Sequence, residues 1–155
     1  MDVKLVKMEK RIIAGFSVET TLETNSKDIG ELYNDFLNNG KKELLQNISN
    51  NASEYYGVIW YTELHKKYVY LIGQKINDNN LDTKGFNTKI IPEGNYCCSK
   101  FPTKYDGIKA WTDFYNTEIP ELGYKPVEQN DIAFEYYPNG LDGEYELWSL
   151  VEKVK

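Results

Sequence analysis

Histidine is nearly absent from this 155-residue chain, with His65 standing alone. That excludes zinc sites built on several histidines, and the single His65 has no plausible nucleophile near it in the sequence. The only cysteines, Cys97 and Cys98, are adjacent. Neighbouring side chains on a strand point to opposite faces, so a disulfide between them would be strained, and nothing nearby completes a zinc set. They read as reduced structural thiols, and the expectation is no metal and no cofactor. No apolar run approaches the ~20 residues of a membrane-spanning helix. The opening MDVKLVKMEKRIIAG lacks the apolar core and small-residue cleavage site of a signal peptide, so a cytoplasmic protein is expected. Positive charge is also scarce: 18 Lys and Arg stand against 24 Asp and Glu, for a net −6. The basic residues are spread thinly, without the basic face that displaces counterions from nucleic acid, so no direct nucleic-acid role is expected. There is no P-loop, GxGxxG, HExxH or GxSxG, and the corresponding enzyme classes drop out.

What the chain has in quantity is aromatic surface: 13 Tyr, 6 Phe and 3 Trp. A buried tyrosine brings a hydroxyl that wants a partner, so this excess fits an aromatic-lined cleft as well as it fits a tyrosine-rich exterior. Along the chain, Val3–Leu22 reads as extended structure, with Gly15 permitting a bulge or tight bend. Ser26 or Asp28 can cap a helix whose apolar stripe is Ile29, Leu32, Tyr33, Phe36 and Leu37; Asn38-Asn39-Gly40 ends it, and Lys41–Ile48 resumes it. Glu54–Tyr61 and Tyr68–Gly73 form a hairpin, with His65 as an exposed turn residue. Asn77–Asn80 is a polar connector. Phe86–Phe101 is extended again, broken by Pro92-Glu93-Gly94. Asp106 can cap a second helix carrying Ile108, Trp111, Thr112 and Tyr115, which Ile119-Pro120 ends. Gly123–Asn130 reads as a loop, and Asp131–Tyr137 and Glu144–Val151 form the last hairpin. The fold class is therefore α+β, one domain built from two βαββ repeats, at about 1–76 and 81–155.

Glu146 draws attention within the last strand. It shares a face with Glu144, Trp148 and Leu150, and a mid-strand carboxylate beside an indole is costly to desolvate without a partner. Laying the final hairpins over one another puts Tyr70 on Glu146 and Ile72 on Trp148. A groove between two such repeats is a common place for a small-molecule site. Trp60, on the strand that pairs with Tyr70, is a further lining candidate. Tyr33 and Phe36 on the first helix, and Trp111 and Tyr115 on the second, are stripe residues of the kind that packs a core, and they line the groove only where one edge of the stripe reaches it. Phe16 and Tyr96 occupy matching points of the two long first strands. No other residue set offers catalytic chemistry beyond Glu146 as a general base on water with a tyrosine hydroxyl as acid.

The βαββ duplication, the YxYxxG strand and the terminal YELWxxV strand resemble the GyrI-like family, the AraC/Rob-type effector-binding domain, over about Val3 to Val154. The resemblance implies a curved antiparallel sheet with two main helices on its back and an aromatic-lined ligand groove in front. It implies a central acidic residue, placed at Glu146, that meets lipophilic, cationic or aromatic small molecules. Ser149 stands where family members usually carry proline. No helix-turn-helix precedes the first strand, so the chain resembles a stand-alone version. Two further functions follow from the resemblance: hydrolysis of strained electrophiles with Glu146 as base, and partner binding of the gyrase-inhibitor kind, or to a regulator.

Overall fold

A computed structural model describes residues 3–77, 83–102, 107–129 and 131–155. Asp106 and most of the Asn77–Asn80 connector lie outside the described residues. The strands are β1 (Lys4–Met8), β2 (Arg11–Thr21), β3 (Tyr55–Glu63), β4 (Lys67–Ile76), β5 (Asn87–Ile91), β6 (Gly94–Phe101), β7 (Tyr124–Pro126), β8 (Ala133–Tyr137) and β9 (Tyr145–Lys153). The helices are α1 (Asn25–Asn38), α2 (Lys41–Gln46), α3 (Gly107–Asp113) and α4 (Ile119–Glu121), with a π-helical turn at Phe114–Glu118 joining the last two.

All the strands form one antiparallel sheet in the order β1-β6-β9-β8-β3-β4-β2-β5, with β7 also pairing β9. The centre of that order is a palindrome: β6-β9-β8 on one side mirrors β2-β4-β3 on the other, as a duplicated βαββ unit requires. The sheet is also strongly curled, and the connections show why. Residues 9 and 10 join β1 to β2, and residues 92 and 93 join β5 to β6. In a flat sheet β1 and β2 would lie six strand spacings apart, about 29 Å. Two residues span only about 11 Å, so the edges must come round toward each other.

The curl gives the sheet an inner and an outer face. The inner face gathers residues from almost every strand, Met8, Ile13, Tyr56, Val58, Leu71, Ile91, Tyr96, Cys98, Phe134 and Trp148 among them, into one core. The outer face carries two separate cores. One packs Phe36 and Leu45 from α1 and α2 onto Ala14, Tyr70 and Ile72; the other packs Ala110, Phe114 and Ile119 onto Cys97, Leu147 and Val151. Helices on the outer face agree with the expected architecture. The inner face, however, is filled by its own rings: Phe134 and Trp148 stack at 5.6 Å and 10°, and Tyr96 packs against both.

Several local expectations change. Gly15 makes no bulge but a close approach: in the unbroken β2–β4 register a Cβ there would lie 1.9 Å from the Ile72 carbonyl oxygen. Ile119-Pro120 does not end the second helix. The π turn, in which the Ile119 N–H bonds the Phe114 carbonyl, hands over to α4 with Pro120 in its first turn, and the helix runs on to Glu121. Part of the Gly123–Asn130 loop is strand β7, drawn into the ladder by the end of β9. His65 is exposed in the β3–β4 turn at φ 62°, as a turn residue should be.

Candidate ligand-binding site

The two repeats meet where β3 pairs with β8, and a carboxylate sits at that seam. Glu135 lies directly opposite Gly57 on β3 and Leu147 on β9. Gly57 is needed here: a Cβ would come within 2.3 Å of the Tyr70 hydroxyl and 2.5 Å of Glu135 Oε1. In the space the missing side chain leaves, Tyr70 donates to Glu135 Oε1 at 2.6 Å. Tyr137 donates to the same oxygen at 3.1 Å, and the Trp111 indole donates to Oε2 at 3.4 Å. Tyr33 of α1 closes the chain, 2.7 Å from the Tyr70 hydroxyl. Since Tyr70 gives its only proton to Glu135, Tyr33 must donate to Tyr70. Tyr115 stacks on Trp111 at 5.4 Å and 18°. Helices α1 and α3 thus each send aromatic groups to one carboxylate, and Tyr137 packs against both outer cores.

Electrostatics make this cluster unusual. Burial pushes the Glu135 carboxyl above its ordinary range, and the three neutral donors only partly offset that. Among the described residues no lysine or arginine pairs with it. Tyr70 is raised well above the ordinary phenol value, by burial first and then by the Glu135 charge; Tyr33 and Tyr137 are raised for the same reasons in the same order. All three remain neutral donors at physiological pH, and none is a base. Removing the Tyr33 hydroxyl (Tyr33→Phe) should cost about 1 kcal/mol of stability, measured by urea denaturation, because Tyr70 keeps its bond to Glu135.

Two hollows open elsewhere on the surface. One of about 280 Å³ lies against Val6, Arg11, Lys75 and Trp148; the other, about 340 Å³, lies between α1 and the outer side of β2 and includes Phe16, Asp28, Glu31 and Asp35.

The model of the GyrI-like small molecule binding domain matches residues 1–148. The chain belongs to the GyrI-like family. A DNA gyrase inhibitor of Serratia proteamaculans (strain 568) is 34% identical over 76 residues, 47% of this chain and 47% of that protein. The chain therefore matches about half the length of that curated relative. Among solved structures, SAV2435 bound to tetraphenylphosphonium superposes with a TM-score of 0.78 at 16% identity, covering 98% of this chain and 94% of that one. The EcmrR C-terminal domain follows at 0.63 and 13% identity, with 99% and 98% covered. At these identities the superpositions speak for the fold. The chain is a GyrI-like small-molecule-binding domain, and no helix among its described residues is long and apolar enough to cross a membrane.

Within the GyrI-like domain, the residues nominated from sequence divide between the two faces. Tyr33, Tyr70, Trp111 and Tyr115 gather around Glu135. Phe36 is fully buried under α1, and Phe16 packs against it at 6.1 Å. Glu146, Trp148, Trp60 and Tyr96 lie on the inner face. There Glu146 is half-buried and accepts from the Trp148 indole at 2.9 Å, with the Cys98 thiol at 3.5 Å. Trp60 lies under the Lys89 ammonium at 4.4 Å, and Tyr96 is sealed in the core, donating to the Pro92 carbonyl at 2.7 Å. Tyr70 is not the mate of Glu146. Directly paired residues share a face, and the row through Tyr70 runs Ile59, Ala133, Ser149. The superposition of hairpins was one residue out of frame, which reverses every side chain. Ser149, the departure from the family's proline, is buried, and its hydroxyl donates to the Leu150 carbonyl oxygen at 3.4 Å. Sequence reasoning missed Glu135, Gly57 and Tyr137. The signal was present, since Glu135 alternates with Ala133 and Tyr137 in a mid-sheet strand, as Glu146 does in its own.

Proposed function

We propose that this domain captures lipophilic, aromatic cations at Glu135, between α1 and α3, with Tyr33, Tyr70, Trp111, Tyr115 and Tyr137 as its walls. One observation carries the reading: a half-buried carboxylate held by three neutral donors, with no cation beside it among the described residues. Such a group is electrostatically incomplete. A positively charged guest supplies the missing countercharge, and indole and phenol faces add cation–π attraction of about 0.5–2 kcal/mol. Two of Glu135's three bonds fall on Oε1, so the carboxylate offers a guest charge more than free acceptor positions. That favours delocalised or fully substituted cations. Tetraphenylphosphonium, the ligand of SAV2435, is a cation of this kind.

Binding should depend on pH with a definite sign. A cation favours the ionised carboxylate and opposes the burial that raises its pKa, so association must release a proton wherever Glu135 is partly protonated. Affinity for tetraphenylphosphonium, followed by calorimetry, should rise with pH through the Glu135 titration and then level off. Triphenylphosphine oxide, aromatic but uncharged, should show no such rise. Equal pH profiles for the two compounds, or an affinity for the phosphonium that falls as pH rises, would remove the charge role from Glu135.

A further inference from the structure

On the opposite side of the molecule, the 280 Å³ hollow collects positive charge from a chain whose net charge is negative. Its lining includes Lys10, Arg11 and Lys75 and the carboxylate of Glu9; Lys7 also borders it, but lies on β1 between the inner-facing Val6 and Met8 and so directs its side chain to the outer face. The curl of the sheet brings them together: Lys10 lies in the short β1–β2 link, Arg11 opens β2, and Lys75 comes from β4 beside Ile13. Among the described residues neither Lys10 nor Lys75 takes part in an ion pair. Arg11 is the fixed member. It donates through Nη1 to the buried Tyr56 hydroxyl at 2.8 Å, which leaves most of its guanidinium donors for another acceptor. Beneath the charges lie apolar surfaces, the edge of Trp148 and the half-buried Val6.

We infer that this hollow is a second binding site, for an organic anion that joins a carboxylate or phosphate group to a flat apolar body. Within the lining the cations outnumber the Glu9 carboxylate, while Glu54 and Glu146 stand outside it near the Tyr56 hydroxyl and the Trp148 indole; an anionic group offsets the excess in the hollow, and the guanidinium gives it directed hydrogen bonds. The apolar floor rewards a ring over a bare ion. Trp148 and Arg11 belong to the inner face, whereas Glu135 belongs to the outer one, so the two sites have opposite charge preference and separate walls. This inference does not rest on the cation reading.

The test uses 1-naphthoate and 1-naphthyl phosphate, titrated calorimetrically into the full chain, with inorganic phosphate and 1-naphthol as charge-only and ring-only probes. One-to-one saturable binding of at least one naphthyl anion is expected, tighter than either partial probe. Lys10→Glu and Lys75→Glu should each weaken it about tenfold, since each reverses a charge within a few ångströms of the guest. Lys125→Glu, the same change in charge on the exposed face of β7, should leave it unaltered, and so should Glu135→Gln. Thermal melts matching the wild type identify variants that are still folded. No saturable binding at millimolar concentrations would overturn the inference, as would equal losses in Lys75→Glu and Lys125→Glu. Comparing the two naphthyl anions tells whether a carboxylate or a phosphate ester is the better head group.

Discussion

Glu135→Gln should lower the affinity for tetraphenylphosphonium by about tenfold to a hundredfold, the equivalent of roughly 1.5–3 kcal/mol for a charge contact in a partly dehydrated site. The aromatic walls survive the change, so residual binding should persist and lose its pH dependence. The same variant should alter the pH dependence of folding. The Glu135 carboxyl is raised in the folded protein above its ordinary value of 4.5. The native state therefore holds the proton more tightly than the unfolded chain. This contribution to stability is complete below about pH 4.5 and is lost as pH rises through the folded-state value. Melting temperature as a function of pH should show that decline in the wild type and a flatter profile in Glu135→Gln. A wild-type contribution that instead grew with pH across this interval would mean the carboxylate is stabilised by the fold rather than strained by it.

Gly57→Ala should do more damage to the fold itself. The added methyl group would stand 2.3 Å from the Tyr70 hydroxyl and 2.5 Å from Glu135 Oε1. Tyr70 has little freedom to retreat, because its ring is buried and its hydroxyl is held between Tyr33 and Glu135. Relief requires breaking the Tyr70–Glu135 bond or shifting β3 against β8, at a cost of about 3 kcal/mol. For a chain of this length that is a fall of roughly 10 °C in melting temperature. Because the clash falls on the two groups that define the site, phosphonium binding should be lost even below the new melting point. An unchanged melt with unchanged binding would show that Gly57 is not what opens the space between Tyr70 and Glu135.

Much of the architecture was legible in the chain because its strands alternate strongly and its helices carry regular stripes. The first-helix stripe through Ile29, Leu32, Tyr33 and Phe36 is the one that packs on the sheet. The last two hairpin strands fall where their patterns put them. Long-range pairing was not legible. Nothing local in Asn87–Phe101 tells that β5 and β6, two residues apart, belong to opposite ends of the strand order. Period-two patterning also sorts residues into two faces without saying which face the helices cover. In β9 both faces are apolar, and in β8 a glutamate alternates with Ala133 and Tyr137. Two mid-strand glutamates thus satisfied the same sequence argument, and only the ladder register shows that Glu135, not Glu146, shares a face with Tyr70. The one-residue slip in the hairpin superposition follows from the same ambiguity. Tyr33, Trp111 and Tyr115 could be picked out because a large aromatic on a helix stripe is conspicuous, whereas Tyr70 entered through the out-of-frame superposition and reaches the carboxylate of a different strand. Gly57 could not, since its function is the space it leaves for a ring on the neighbouring strand.

The central claim is that Glu135, and not Glu146, supplies the countercharge for a bound cation, and a parallel calorimetric titration of tetraphenylphosphonium into Glu135→Gln and Glu146→Gln tests it most directly. Glu146 already accepts from the Trp148 indole on the inner face, away from Tyr33, Tyr70 and Trp111. The account predicts at least a tenfold loss for Glu135→Gln and a change within about twofold for Glu146→Gln. A large loss for Glu146→Gln with Glu135→Gln unaffected would place the cation on the inner face and contradict it.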